Sequence, residues 1–194
     1  MPPDRKRFTD ESFSALQPTD IDLEGAILLG CTFTDCDLSE VSLSGTQLVS
    51  CRFENCELPL LNLTDTVLQE VSFSTCRLTG INFSLVSKLP IVPEAKLEGC
   101  DLSFCSFRQL DLQAWSFEDC RFLEAEFSRC ELKKVSFAGS DLTRCTFARN
   151  DLAEADLRGA RGYQISPLEN NLRGMRVSLP EAIGLLAAVG VSVE

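Results

Sequence analysis

The sequence contains no histidine among its 194 residues. That absence excludes histidine-based catalytic triads, general bases and zinc sites. Basic residues are also scarce: 18 Lys and Arg stand against 29 Asp and Glu, and the net charge of −11 argues against direct binding of nucleic acid. No apolar stretch approaches the ~20 residues of a membrane span, and the opening MPPDRKRF lacks the apolar core of a signal peptide. We expect a cytoplasmic protein without membrane association, whose ten cysteines stay reduced.

The sequence does contain a five-residue repeat along most of its length. In steps of five from Phe8 to Phe83, fifteen of sixteen positions are Leu or Phe, and from Leu97 to Leu157 all thirteen are. The position two residues earlier holds all ten cysteines and otherwise mostly small or apolar residues. Helices have a period near 3.6 and flat strands a period of 2, so neither explains the pattern. Two inward-facing and three outward-facing residues therefore recur every five.

A second period of twenty residues groups the fives into coils. Phenylalanines recur at this spacing in two columns, namely Phe13, Phe33, Phe53 and Phe73, and Phe107, Phe127 and Phe147. Like residues that stack every twenty positions indicate four fives per coil. The fold class predicted is an all-β solenoid with square coils, each hydrogen-bonded to the next at ~4.8 Å. Twenty-nine fives give about seven coils and a rod of roughly 34 Å.

Runs such as CTFTD-CDLSE-VSLSG and CRFEN-CELPL-LNLTD resemble the pentapeptide-repeat proteins, in which cysteine is common at the first place of the repeat. The resemblance covers about residues 8–161. It implies a right-handed quadrilateral β-helix, a handedness that the periodicity alone does not show. We therefore divide the chain into a β-helix over residues 1–161 and a C-terminal segment over residues 162–194.

The two registers of the repeat do not join, because Phe83 and Leu97 are fourteen residues apart. The simplest account is a nine-residue insertion at one corner, a loop over about residues 84–94 that contains two prolines. Trp115 is expected to fill inward space just beyond this break. The loop is either a tolerated surface insertion or a contact site for a partner. Its candidate binding residues are Ser87, Lys88, Leu89, Pro90, Ile91 and Val92.

The segment after residue 161 leaves the repeat and predicts a single helix. Ser178 and Glu181 form an S-x-x-E capping box with Pro180 in the first turn, and Gly190 is expected to end the helix. Residues 191–193 are expected to form a short strand. The segment either caps the open end of the solenoid or joins two rods tail to tail. The candidate dimer interface consists of Leu179, Ile183, Leu186, Val189 and Val191.

This tail resembles one subgroup of pentapeptide-repeat proteins, the Qnr-type quinolone-resistance proteins and the immunity proteins against microcin B and albicidin. The features in common are an S-L-P-E-A-x-x-L-L helix, a short Val-rich segment after it and a loop-interrupted rod before it. The resemblance implies a homodimer formed through the C-terminus. It also implies action on a bacterial type II topoisomerase, either DNA gyrase or topoisomerase IV. Qnr proteins usually carry two loops, whereas only one is placed here.

No pattern in the sequence points to catalysis. Gly-rich phosphate loops and nucleophile elbows are absent, and the carboxylates occupy outward repeat positions without forming a cleft. The column of Cys36, Cys56 and Cys76 could be a soft-metal site or a source of disulfides, but small apolar thiols also suit a tightly packed interior. We predict a protein that is not an enzyme, with no catalytic residue, no metal and no cofactor.

The two halves of the chain carry unequal net charge. Residues 8–87 hold twelve acidic and two basic residues, whereas residues 88–194 hold sixteen and thirteen. The rod carries about half the charge of duplex DNA of its length, enough to steer it toward a basic groove. The hypothesis is a DNA-mimicking dimer that enters the DNA-binding saddle of the topoisomerase, while the loop helps to release a poisoned complex. The alternative is a structural or adaptor rod with an unrelated protein partner.

Overall fold

The computed structural model describes residues 5–88 and 93–192 and consists of a parallel β-solenoid of about 8 turns with one short C-terminal helix. This architecture confirms the predicted fold class. Within the described residues no helix has the length and apolar character needed to cross a bilayer. The strands are β1 (Arg7–Thr9), β2 (Ser12–Ser14), β3 (Ile27–Leu29), β4 (Thr32–Thr34), β5 (Gln47–Val49), β6 (Arg52–Glu54), β7 (Val67–Gln69), β8 (Val71–Ser74), β9 (Ala95–Glu98), β10 (Ser106–Arg108), β11 (Ser116–Glu118), β12 (Glu126–Ser128), β13 (Thr146–Ala148), β14 (Asp156–Leu157) and β15 (Arg176–Val177).

The strands stack into long parallel sheets along the sides of the rod. One sheet has the order β1-β3-β5-β7, a second β11-β9-β8-β6-β4-β2, and a third β10-β12-β13. Strand β14 pairs with β15. Before the loop, partners lie twenty residues apart, as in Phe13↔Phe33 and Leu28↔Leu48. The register confirms that four fives make one coil.

The Leu and Phe positions of the repeat face the interior and are buried in nearly every coil. The rings of Phe33 and Phe53 stack with their centroids 4.8 Å apart, and those of Phe107 and Phe127 with centroids 4.7 Å apart. Both phenylalanine columns predicted from the sequence are therefore present. Trp115 is 3% exposed and packs edge-on against Phe83 at 5.7 Å, which confirms it as a core residue.

At many of the positions two residues before a Leu or Phe, a Cys, Thr, Ser or Asn side chain also donates a hydrogen bond to the preceding coil. The Cys51 thiol lies 3.5 Å from the carbonyl of Leu28, and the Thr46 hydroxyl donates to Leu23 at 2.7 Å. All ten cysteines are buried and free of disulfides. Burial raises the pKa of the Cys51 thiol to about 11. The Cys51 thiol therefore stays protonated and adds a weak hydrogen bond to the backbone of the preceding coil.

The corners of the square are made by residues in the left-handed conformation. Nineteen non-glycine residues among those described have positive φ, between 52° and 63°. At Gly30 an added Cβ would lie 2.2 Å from Oδ1 of Asp10 on the neighbouring coil, so a larger residue there requires the Asp10 side chain to move. Phe104, the one phenylalanine outside the five-residue grid, occupies a corner with φ of 63°. Its side chain consequently points outward and is 57% exposed.

The coil that carries the loop contains 24 residues. Val71 pairs with Ala95 and Arg77 with Asp101, so the partners on either side of the loop lie four residues farther apart than elsewhere. The expected nine-residue insertion is therefore wrong in size, because part of the segment between Phe83 and Leu97 belongs to regular coil. Residues 89–92 lie outside the described part of the chain.

Coil hydrogen bonding continues beyond residue 161. Asp151 bridges Asn171, and Asp156 pairs with Arg176, in the same parallel register as the preceding coils. Residue 161 therefore marks the end of the sequence pattern, whereas the hydrogen-bonded coils extend to Val177. This extra turn accounts for about 8 coils in place of the expected seven.

The tail forms helix α1 (Ile183–Ala187), which is shorter than the pattern indicates. The predicted capping box is absent, because the Ser178 hydroxyl accepts a hydrogen bond from the Gly159 N–H at 2.9 Å and the residue before the helix is Ala182. Gly190 has φ of 80° just past the last turn, as predicted for its end. Residues 191 and 192 form no strand, and residue 193 lies outside the described part of the chain.

Candidate interaction surfaces

The first half of the rod presents carboxylates with few cationic partners. Residues 8–87 hold twelve acidic and two basic residues. Within residues 5–88, Lys6 pairs with Asp22 at 2.5 Å and Arg77 pairs with Glu57. Exposed acidic residues in this stretch that have no ion pair include Glu24, Glu54, Asp65 and Glu70. The surface of this half therefore carries a net negative charge.

Some carboxylates of this half are oriented by neutral neighbours. The Ser39 hydroxyl and backbone N–H donate to Asp37 at 2.5 Å and 3.0 Å, and these bonds hold the pKa of Asp37 below its ordinary value. The Ser50 hydroxyl donates to Glu70 at 2.8 Å. These bonds fix the direction of the carboxylates without neutralising them.

The second half of the rod neutralises most of its charge internally. Nine of the eleven ion pairs join residues that both lie after position 93. Many link coils twenty residues apart, as in Arg161–Asp141 at 3.0 Å. Asp156 is 7% exposed and binds both Arg158 at 2.7 Å and Arg176 at 3.0 Å. These arginines, with Arg158 contributing most, lower the pKa of Asp156.

The base of the loop is attached to the coils on both sides. Before the loop, the Ser87 N–H donates to the carbonyl of Thr66 at 2.8 Å, and Lys88 is exposed. After it, the indole N–H of Trp115 donates to the carbonyl of Pro93 at 2.8 Å. Of the six loop residues predicted to bind a partner, Ser87 and Lys88 are therefore placed at the base. The other four, Leu89, Pro90, Ile91 and Val92, lie outside the described residues.

The tail exposes all five apolar residues that the sequence assigns to a dimer interface. Leu185 packs against the core, whereas these five side chains are exposed. Their exposed fractions are 77% for Leu179, 40% for Ile183, 43% for Leu186, 43% for Val189 and 48% for Val191. Helix α1 thus covers the end of the rod with one side and leaves an apolar surface on the other.

Three further apolar residues, each more than half exposed, were not singled out as contact residues from the sequence. Leu168 is 80% exposed, Phe104 57% and Leu60 56%. Phe104 and Leu60 both occupy corner positions with positive φ, so their positions in the five-residue count already place them outside the core. Leu168 lies in a turn after the repeat has ended and carries no periodic signal.

The described residues offer binding surfaces but no metal cluster. Among them, no group of three or more Cys, Asp or Glu is arranged to hold a metal ion. The stacked square coils, with two inward residues in every five, define a β-solenoid built from five-residue repeats.

Comparison with known proteins identifies this class more narrowly. The profile of the pentapeptide repeat region matches residues 26–87 and 92–157. The chain belongs to the pentapeptide-repeat family. A search of curated protein sequences finds no match.

Solved structures with the same fold include resistance and regulatory proteins. A trypsin-treated form of QnrB1, a plasmid-mediated fluoroquinolone resistance protein, matches with a TM-score of 0.65 at 16% identity and covers 98% of each chain. A second trypsin-treated form has a TM-score of 0.52 at 17% identity, with 98% of this chain and 99% of that chain covered. HetL, involved in heterocyst differentiation regulation in the cyanobacterium Nostoc sp. strain PCC 7120, matches with a TM-score of 0.59 at 17% identity over 90% and 87% of the two chains. At these identities the likeness concerns the fold.

Proposed function

We propose that this protein is a DNA-mimicking binding protein that acts on a bacterial type II topoisomerase in the cytoplasm. The partner is DNA gyrase or topoisomerase IV, and the rod protects it from a poison such as a quinolone, microcin B or albicidin. The protein acts by binding rather than by catalysis, and it needs no cofactor. The observation that carries the proposal is the concentration of carboxylates without ion pairs on the first half of the rod.

The carboxylates suit a groove that normally holds DNA. Coils are stacked at ~4.8 Å, so outward acidic residues on successive coils lie close enough for their potentials to add. Duplex DNA carries one charge per ~1.7 Å of its axis, and a basic groove built for it attracts other polyanions. Glu24, Glu54, Asp65 and Glu70 are exposed on three neighbouring coils and are not held in ion pairs.

The loop and the tail supply the other two parts of the proposal. Lys88 stands at the base of the loop, where the acidic first half of the rod ends, so the loop can touch the enzyme beside the bound acidic surface. The exposed apolar side chains of the tail, such as Leu179 and Leu186, pair two rods into a homodimer. A dimeric rod matches the two-fold symmetry of a type II topoisomerase.

An adaptor rod with an unrelated protein partner is the second candidate. HetL shares the fold at a TM-score of 0.59, close to the 0.65 of QnrB1, and it belongs to a regulatory process. For this candidate the apolar corner residues Leu60 and Phe104 supply the contact surface.

A supercoiling assay separates the two candidates. Purified protein is titrated into reactions of DNA gyrase, and separately topoisomerase IV, with and without a quinolone, microcin B or albicidin. We expect supercoiling or relaxation to recover in the presence of one poison, which also names the poison. Inhibition without rescue supports DNA mimicry but contradicts protection. An absence of any effect, together with no competition against DNA, favours the adaptor.

A further inference from the structure

A groove of about 500 Å³ runs beside the sheet β10-β12-β13, in the half of the rod that follows the loop. Arg108 lines it, and in register with Arg108 the next two coils carry only Ser128 and Ala148. These two side chains are short, so they leave a depression in the sheet surface. We call this feature the arginine groove, after the three arginines that line it, Arg108, Arg129 and Arg149.

Two of these arginines stack on one corner of the rod. Gln109, Arg129 and Arg149 occupy equivalent corners of three successive coils, with φ of 53°, 56° and 59°. The Gln109 N–H donates to the carbonyl of Ser128 at 2.9 Å, and the Arg129 N–H donates to that of Ala148 at 2.9 Å. The stacking of the coils therefore holds the main chains of Arg129 and Arg149 about 4.8 Å apart.

Arg129 and Arg149 lack the ion pairs that are common in this half of the rod. Both are exposed, and neither forms an ion pair within the described residues. Eight other cationic residues after position 93 do form ion pairs. Like charges at neighbouring positions of a sheet are destabilising, so this pair of arginines has no evident use in folding. Their guanidinium groups are available to an anion.

Two carboxylates also line the arginine groove, but they leave it positively charged. Glu126 is held in an ion pair with Arg108. Glu169 follows Arg149 by twenty residues at the same corner, is exposed and forms no ion pair within the described residues. It limits the positive surface at the end nearer the tail.

A further cation acts on the same corner from the base of the loop. Burial raises the pKa of Cys130, the residue after Arg129, and the charge of Lys88 opposes this rise. Lys88 is exposed. The positive potential of the arginine groove is therefore reinforced from its loop side.

We propose that the arginine groove binds a diphosphate group, with one phosphate at Arg129 and the other at Arg149. A guanidinium group binds a carboxylate or a phosphate through two parallel hydrogen bonds. A single carboxylate satisfies only one arginine, whereas a diphosphate presents two adjacent anionic groups to the two stacked ones. The Gln109 amide and the Ser128 hydroxyl supply neutral donors in the same groove.

The diphosphate is either free pyrophosphate or part of a nucleotide, and the experiment distinguishes these sources. Isothermal titration calorimetry of the full chain at low salt uses sodium pyrophosphate, ADP and orthophosphate as separate probes. We expect pyrophosphate and ADP to bind about tenfold or more tighter than orthophosphate, because only they reach both arginines. Their affinity should fall as sodium chloride is added. The inference does not depend on the topoisomerase partner, so the supercoiling assay leaves it untouched.

Single substitutions locate the site. Arg129→Gln and Arg149→Gln should each weaken diphosphate binding by about tenfold. Gln109 shows that this corner accepts glutamine, and neither arginine is in an ion pair, so the melting temperature without ligand should not fall. Arg173→Gln is the matched control, at an exposed arginine outside the groove that also lacks an ion pair within the described residues. Glu169→Gln should tighten binding a few-fold, since it removes a repulsive charge.

The outcomes either support the site or overturn it. Tighter binding of ADP than of pyrophosphate, lost in both arginine variants, supports the site with a nucleotide as its ligand. Equal binding of the two, lost in the same variants, supports the site with the diphosphate alone as the recognised group. The proposal is wrong if orthophosphate binds as tightly as pyrophosphate, or if Arg173→Gln weakens binding as much as Arg129→Gln. It is also wrong if no probe binds more tightly than about 1 mM, or if a short DNA duplex binds and the small anions do not.

Discussion

The two halves of the rod have the same coils but use their charges differently. Within residues 5–88 the structure contains two ion pairs, whereas nine lie after residue 93. The coil hydrogen bonds and the stacked rings are alike in both, so the ion pairs are not needed to build the fold. The fold therefore does not depend on whether the surface carboxylates of the first half form ion pairs. The contrast supports the proposal that the first half of the rod binds the partner.

We expect deletion of the loop between the two halves to have the largest effect on protection of the topoisomerase. Deleting residues 88–91 shortens the 24-residue coil to twenty and places Val92 at the inward position of the repeat. We expect the rod to stay folded, with thermal unfolding followed by circular dichroism, while protection of the topoisomerase is lost. The matched control replaces the same four residues by Gly and Ser, which keeps the length and removes the side chains. Protection that survives both changes contradicts the role of the loop.

The ion pairs of the second half should matter for stability. Asp156→Asn leaves Arg158 and Arg176 without their carboxylate, and we expect the free energy of unfolding at pH 7 to fall by about 2 kcal/mol. Asp37→Asn removes a charge that has no ion pair, and its amide oxygen can still accept both bonds from Ser39, so it should cost less. Denaturant unfolding of both variants checks the order.

The dependence on pH has a defined sign. The pKa of Asp156 is lowered in the folded protein, so its stabilisation is present above the unfolded pKa of about 3.9 and is lost as the pH falls through the lower folded value. The difference between Asp156→Asn and the unaltered protein should therefore shrink below about pH 4. A difference that is constant down to pH 2 would show that the charge is not its source.

Neutralising carboxylates tests the functional side of the comparison. Glu24→Gln, Glu54→Gln and Asp65→Asn together remove three exposed charges from the first half, and we expect the concentration for half-maximal effect on the topoisomerase to rise about fivefold at low salt and less at high salt. The matched control, with Glu98, Glu118 and Glu169 all changed to Gln, removes three exposed charges from the second half. Equal effects of the two triple variants would contradict a binding surface confined to the first half.

The coils were predictable because every five-residue repeat has the same pattern of inward-facing and outward-facing residues. Inward positions such as Phe33 and Leu48 are read from the five-residue period, and their stacking partners from the twenty-residue period. The last coil carried the same signal more weakly. Leu172 and Val177 follow Leu152 and Leu157 by twenty, and Asn170 replaces cysteine as the donor to the preceding coil. The five-residue pattern is lost in this last coil, although the twenty-residue spacing still indicates it.

The tail was less predictable because its contacts come from other coils. Ser178 matches a capping box locally, but its hydroxyl is occupied by the N–H of Gly159, nineteen residues earlier. The exposure of Ile183 and Leu186 was predictable, since amphipathic spacing depends on the helix alone, whereas their role in an interface stays a prediction. The exposure of Leu168 was not predictable, because the turn that presents it is held by Ser166 and Asn170 rather than by any periodic pattern.

Because the coils are alike, the length of the rod is set by their number. Each coil adds the same increment of about 4.8 Å along the axis, and each contacts only its neighbours. The separation between the acidic surface, the loop and the tail is therefore counted in whole coils. Adding or removing one twenty-residue unit between Leu97 and Leu157 changes the reach of the molecule by one step and leaves both ends chemically unaltered. A protein of this design can be fitted to a partner of different dimensions by changing its length alone.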